Sequence, residues 1–192
     1  MNSLSTSVVT KFADAIASDS HGQDVIFATK ENYKAIVEFL KSDCEVIMCL
    51  DVTAVDFLGA HERVNVSGVP LERFEIIANF ISHKRNERIR IIVPINEHET
   101  EIDSIMSIFP GVNFAEREVY DMFGIEFNGH EELTRILMPE DWNGFPLRKD
   151  DAPARIPVNF TDDLPKDLSS GLFLGDQREI GATLPQAKSD FS

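Results

Sequence analysis

The residues able to do chemistry crowd between Glu116 and Asp150 and thin out elsewhere. His130-Glu131-Glu132-Leu133-Thr134 opens like a helical zinc site, but Thr134 stands where the second histidine belongs. One imidazole alone could then reach a metal. Gly124, Gly129 and His130 reproduce the glycine spacing of a phosphate loop with His130 in place of the lysine that reaches the phosphates, so the stretch is no Walker motif. Neither a nucleotide-binding glycine triplet nor a Gly-x-Ser-x-Gly elbow occurs. Cys44 and Cys49 are the only 2 thiols, whereas zinc or an iron-sulfur cluster takes about four ligands. Both are read as buried structural thiols, on opposite faces of a strand because their separation is odd. These failures argue against a self-sufficient catalytic, metal or nucleotide site.

What the region offers instead is charge and aromatic area. On a helix, Glu116 faces Tyr120 and Arg117 faces Asp121 at i,i+4, which an ordinary solvated face would also show. Trp142, Phe145, Arg148 and Lys149 follow among Pro139, Gly144 and Pro146. Large aromatics in irregular backbone need a surface to bury against, either the chain's own domain or a partner, and Trp and Arg are frequent interface residues.

The elements that position these residues follow from periodicity. Val8, Val9, Phe12, Ala13 and Ile16 have helical spacing, with Gly22 as a stop. A short apolar run from Val25 leads to Thr29, which caps a helix carrying Tyr33, Ile36, Val37 and Leu40 on one face. Segments 45–57, 71–82 and 87–95 are rich in Ile, Val and Phe, and the last two flank a polar tip at 83–86, the pattern of an antiparallel hairpin. Asn96 is expected to cap a further helix through Ile102, Ile105, Met106 and Phe109, ended by Pro110-Gly111. A short helix then runs from Asn113 to its terminal Gly124. The order α, β, α, β, β, β, α predicts an α+β fold: a two-layer domain with a mixed β-sheet and helices on one face, over residues 1–137. Beyond it, Pro139, Pro146, Pro153, Pro157, Pro165 and Pro185 make up 6 of the chain's 9 prolines. Residues 138–192 are read as an extended C-terminal arm that orders along a partner.

Composition bounds the partners. The 192 residues carry 33 Asp and Glu against 18 Lys and Arg, a net charge of -15, with 43% apolar residues and 1 Trp. That is a globular composition whose charge repels phosphate backbones, so nucleic acid is an unexpected partner. The longest apolar run is five residues from Val46, far below the roughly 20 of a spanning helix. A cytoplasmic chain without direct membrane insertion is expected.

Residues 116–125, Gly129-His130, 135–142 and 144–150 together resemble the signature block of the C, or thirty-kilodalton, subunit family of respiratory complex I, the NADH:quinone oxidoreductase. Leu50 to Asp56 and Arg73-Phe74-Glu75 are similar to two weaker blocks of that family, in the same order. Glu131 stands where the family usually has Pro and Thr134 where it commonly has a basic residue; no family role is carried past Asp150. The resemblance implies a non-catalytic assembly subunit of a hetero-oligomer, peripheral on the cytoplasmic side of the membrane, against the D, B and I subunits of the complex. Such a chain binds no cofactor itself, while the holoenzyme uses NADH, FMN, iron-sulfur clusters and quinone. The partner-binding residues it implies are Glu116, Arg117, Glu118, Tyr120, Asp121, His130, Arg135, Asp141, Trp142, Phe145, Arg148, Lys149 and Asp150. Relatives also occur in membrane-bound hydrogenases and deazaflavin-fed dehydrogenases, and a free-standing acidic binding module is the alternative outside the complex.

Overall fold

The computed structural model describes residues 2–60, 63 and 65–151. Helix α1 (Ser3–Lys11) starts where the Asn2 side chain accepts from the Ser5 amide. A hairpin follows, β1 (Ile16–Ser20) and β2 (Gln23–Phe27), whose two-residue loop His21-Gly22 has φ of 56° and 77°. Both positive angles are what a type I′ turn requires. Helix α2 (Lys30–Ser42), capped by Thr29, buries Tyr33, Ile36, Val37 and Leu40. Strands β3 (Met48–Asp56), β4 (Phe74–Ser82) and β5 (Glu87–Ile95) pair antiparallel, and β2 joins β5 in parallel. The sheet is therefore mixed, in the order β1-β2-β5-β4-β3.

Alternation builds the core. Phe74, Ile76, Ala78 and Phe80 of β4 stand opposite Ile95, Val93, Ile91 and Ile89 of β5, and all are buried on the face that receives the helices. Phe80 is fully buried and tilts against Phe109, ring centroids 5.7 Å apart. On the other face, Val25, Ile92 and Glu75 are buried as well. There Arg63 pairs with Glu75 and stacks over the Phe57 ring at 4.0 Å.

Three expectations are corrected. The first helix stops at Lys11, and Ile16 opens a strand, because the His21-Gly22 turn returns the chain onto itself. The helix expected from Asn96 does not form. Asn96 accepts from the His98 amide at 2.9 Å, a turn instead of a cap. Downstream, β6 (Glu101–Asp103) pairs in parallel with β7 (Glu126–Asn128), and a 3-10 turn covers Pro110–Val112. Ile102, Ile105, Met106 and Phe109 are all buried, but from a strand and turns. Third, the compact region does not stop at Leu137, because Met138 and residues up to Asp151 bond back onto it; the rest of the expected arm, 152–192, lies outside the described residues. The remaining helix, α3 (Asn113–Phe123), is capped by Gly124 at φ 69°.

Candidate functional site

Helix α3 carries carboxylates on two faces, and each is buried for a different purpose. Glu116, fully buried, accepts from the Ser104 hydroxyl at 2.6 Å and the Ile105 amide at 2.9 Å. It holds the chain after β6 against α3. Burial pushes its pKa up, against the two donors and the nearby His130 and Lys34. The His130 ring, also buried, accepts at Nδ1 from the Glu132 amide at 3.1 Å and turns Nε2 toward the Asn113 carbonyl at 3.3 Å. That geometry fits the tautomer with its proton on Nε2. Tyr33 comes close enough for the Glu116 charge to act on it after burial, and both raise its pKa. Its hydroxyl is buried without a partner among the described residues.

On the second face, Asp121 is fully buried against a strap, residues 133–151. One oxygen, Oδ2, accepts from three consecutive amides, Ile136 at 3.0 Å, Leu137 at 2.7 Å and Met138 at 2.8 Å. The other takes the Arg135 guanidinium at 2.6 Å. Burial alone would raise the Asp121 pKa, but the Met138 amide, Arg135 and the amides of Leu137 and Ile136 outweigh it and hold the group below the usual carboxylate value. Arg117, one turn earlier, donates to the carbonyls of Thr134 at 3.1 Å and Arg135 at 3.2 Å. The expected Arg117 to Asp121 pair is thus replaced by two separate grips on the strap.

The distal strap is clamped at the end of α3. Gly124, in the left-handed region, has no side chain where the Phe145 ring lies: a Cβ there would sit 2.5 Å from that ring. Phe145 is flanked by Arg148 at 4.6 Å and Arg135 at 5.4 Å. Arg148 donates to the carbonyls of Phe123 at 2.5 Å and Gly124 at 3.3 Å, and the Leu147 amide donates to Met122.

A second carboxylate node joins the strap to the sheet. Asp56, buried at the end of β3, accepts from the amides of Leu58 and Lys149, each at 2.9 Å, and from Arg73 at 3.1 Å. Arg73 reaches Asp150 at 2.6 Å as well. Burial opposes ionisation of Asp56, yet Arg73 and the two amides hold its pKa below the ordinary value; Arg73 does the same for Asp150. Asp56 and Arg73 are not among the expected site residues. The signal that could have found them is their position in the two upstream blocks and, for Asp56, an acid on the apolar face of a strand.

The expected residues therefore divide. Glu116, Arg117, Asp121, His130, Arg135, Phe145, Arg148 and Asp150 bond or pack within the chain. Tyr120 and Trp142 are half-buried, the latter's amide donating to Pro139. Glu118 and Asp141 are exposed, as is Lys149, whose amide is bonded but whose ammonium has no partner among the described residues. The thiols are poor nucleophiles: burial raises Cys44 and pushes Cys49 up to about 12. Among the described residues no group of three or more His, Cys, Asp or Glu is placed to hold a metal ion, and no helix is long and apolar enough to cross a membrane.

Residues 26–155 match the family described as respiratory-chain NADH dehydrogenase, 30 Kd subunit. The C subunit of the NADH-quinone oxidoreductase of Geobacter sulfurreducens is 37% identical over 142 residues, covering 73% of this chain and 82% of that protein. The combined C/D subunit of the NADH-quinone oxidoreductase of Blochmanniella pennsylvanica is 39% identical over 144 residues, 74% of this chain and 24% of that longer one. Among solved structures, the trypsin-resistant fragment (1–134) of Nqo5 aligns with a TM-score of 0.58 at 23% identity, over 67% of this chain and 95% of the fragment, a likeness of fold.

Proposed function

This chain belongs to the thirty-kilodalton subunit family of the respiratory-chain NADH dehydrogenase, and from that premise we propose that it is a structural subunit of the peripheral arm of NADH:quinone oxidoreductase, with no catalytic residue of its own. One observation carries the reading: Glu116, Arg117, Asp121, Arg135 and Arg148 of the signature block are bonded to backbone and to one another along α3 and the strap, and do not converge on an open pocket. They build shape. In a catalytic site the same groups would be aimed at a vacant position where a reacting atom could sit.

The cofactors follow from the donor set. With 2 cysteines in the whole chain, this subunit falls short of the about four ligands of an iron-sulfur cluster, so the clusters are assigned to other subunits, and the assignment of flavin and quinone elsewhere rests on the family resemblance. The association with the D subunit draws support from relatives in which C and D share a name as one protein, since fusion keeps two neighbours at high effective concentration. Contacts with the B and I subunits, and a peripheral position on the cytoplasmic side, rest on the family resemblance. The expected partner-binding set is accordingly reassigned: Glu118, Asp141, Trp142 and Lys149 are the candidates for direct contact, and the internally bonded residues hold the surface that carries them.

The test is a deletion and a purification. Membranes lacking the chain should lose NADH:quinone activity and regain it with the full-length chain. The purified chain should carry no flavin and no iron after a chelator wash. Stoichiometric flavin or iron retained by the chain alone would overturn the non-catalytic role, and unchanged activity without it would overturn membership of the working complex.

A further inference from the structure

We propose that the outer side of the strap, with the bordering face of α3, is a docking patch of apolar centre and anionic rim, shaped for a basic protein surface on a neighbouring subunit. The proposal rests on the assembly role above and names the chemistry of the partner. Phe114, Leu137 and Leu147 are 65%, 60% and 52% exposed, and Ile136 37%. Their backbone places them together. Ile136 and Leu137 hang from Asp121, and the Leu147 amide is bonded to Met122, the next residue of the same helix. Phe114 lies two turns before Asp121 on the same side of α3, next to Arg117, which grips the start of the strap.

Four large apolar side chains held out by a pinned backbone differ from scattered surface leucines. The segment is already ordered by its bonds to Asp121, Arg117 and Arg148, so covering it costs little further conformational entropy. A contiguous exposed apolar patch with a polar rim is the usual mark of an interaction site.

Charge names the occupant. The arginines of this region are consumed internally: Arg117 by Thr134 and Arg135, Arg135 by Asp121 and Gly144, Arg148 by Phe123 and Gly124. Left at the rim are the exposed carboxylates of Glu118, Glu131, Glu132, Glu140 and Asp141, none with a side-chain partner among the described residues. The Lys149 ammonium is the one free cation described on the strap. A second copy of the chain would set this rim against itself, and an anionic lipid surface would be repelled by it. A protein surface rich in Lys and Arg satisfies both the rim and the apolar centre.

The test uses the full-length chain added to membranes of the deletion strain. A Leu137→Glu, Leu147→Glu variant and, separately, a Glu140→Lys, Asp141→Lys variant should each bind the deficient complex about tenfold more weakly than the unaltered chain. Both should melt like it when free, because every altered side chain is exposed. The unaltered chain's binding should weaken as salt rises. Leu50→Glu, at an exposed leucine beside Asn79 and Arg90 and away from the strap, is the control and should bind normally. Full binding by both variants, or equal loss in the control, would overturn the patch. So would patch-dependent dimerisation of the free chain in sedimentation, or its binding to phosphatidylglycerol vesicles. Failure of the unaltered chain to restore the complex would instead overturn the assembly reading, which keeps the two failures apart.

Discussion

Across the sheet, Phe74, Ile76, Phe80, Ile89 and Ile91 hold β4 and β5 against the helices through apolar area; along α3, Asp121 and Arg117 hold the strap through directed bonds to its backbone, and the strap's Arg135 and Arg148 bond back to Asp121 and to the Phe123 carbonyl. Apolar burial is non-directional and pooled over many contacts, so the sheet region should lose or keep its structure as a unit. A strap tied by a few polar bonds has one conformation, and it is lost locally when a tie is cut. The first arrangement makes a stable body, and the second presents a defined surface on it.

The largest effect should come from emptying the sheet core. Phe80→Ala removes a fully buried ring and should cost about 4 kcal/mol of global stability, read as a lower denaturation midpoint with protection lost across β4 and β5 together. Asp121→Ala should cost about 3 kcal/mol, because it strands Arg135 and three amides. Hydrogen exchange should show the amides of 136–138 opening while those of β4 and β5 stay protected. If both substitutions opened both regions equally, the division between them would disappear. Gly124→Ala forces a side chain into a left-handed residue and against Phe145, and should cost about 2 kcal/mol, again with exchange concentrated in the strap.

The smallest effect separates the buried carboxylates by sign. Asp121, Asp56 and Asp150 have lowered pKa values, so the stability they give is present above their unfolded values near 3.8 and is lost as pH falls through the folded ones. Glu116 and Glu75 have raised values, chiefly from burial. Their contribution is full below the unfolded value of 4.5 and is lost as pH rises through the folded one. Lowering the pH from about 5 to about 3 should therefore loosen the amides bonded to Asp121 and leave the Ile105 amide on Glu116 protected. Exchange rates, corrected for intrinsic pH dependence, measure this, and equal loss at both carboxylates would contradict the opposite roles of Asp121 and Glu116 on α3.

The legibility of the two regions in the sequence follows the same division. The Ile, Val and Phe content of 71–82 and 87–95 around a polar tip announced the central hairpin, and the alternation of Phe74, Ile76, Ala78 and Phe80 is what puts one apolar face on the core. The spacing of Ile102, Ile105, Met106 and Phe109 misled, since a strand followed by turns can bury the same residues that a helix would. Ile16 to Ser20 was legible only through its His21-Gly22 turn. In the signature block the charged residues were visible but the direction of their bonds was not. Helical spacing places Arg117 beside Asp121, yet each found a better partner in backbone that arrives from beyond the helix, and no periodicity encodes that meeting.

The convergence of the Ile136, Leu137 and Met138 amides on one oxygen of Asp121 also has a meaning apart from cohesion. Successive backbone N–H groups aimed at one point form a concave receptor for anions, here filled by the protein's own carboxylate. The strap is thus a host and Asp121 a tethered guest. Removing the guest leaves a cradle whose chemistry is unchanged, so formate supplied to the Asp121→Ala chain should enter it and draw the backbone shut again.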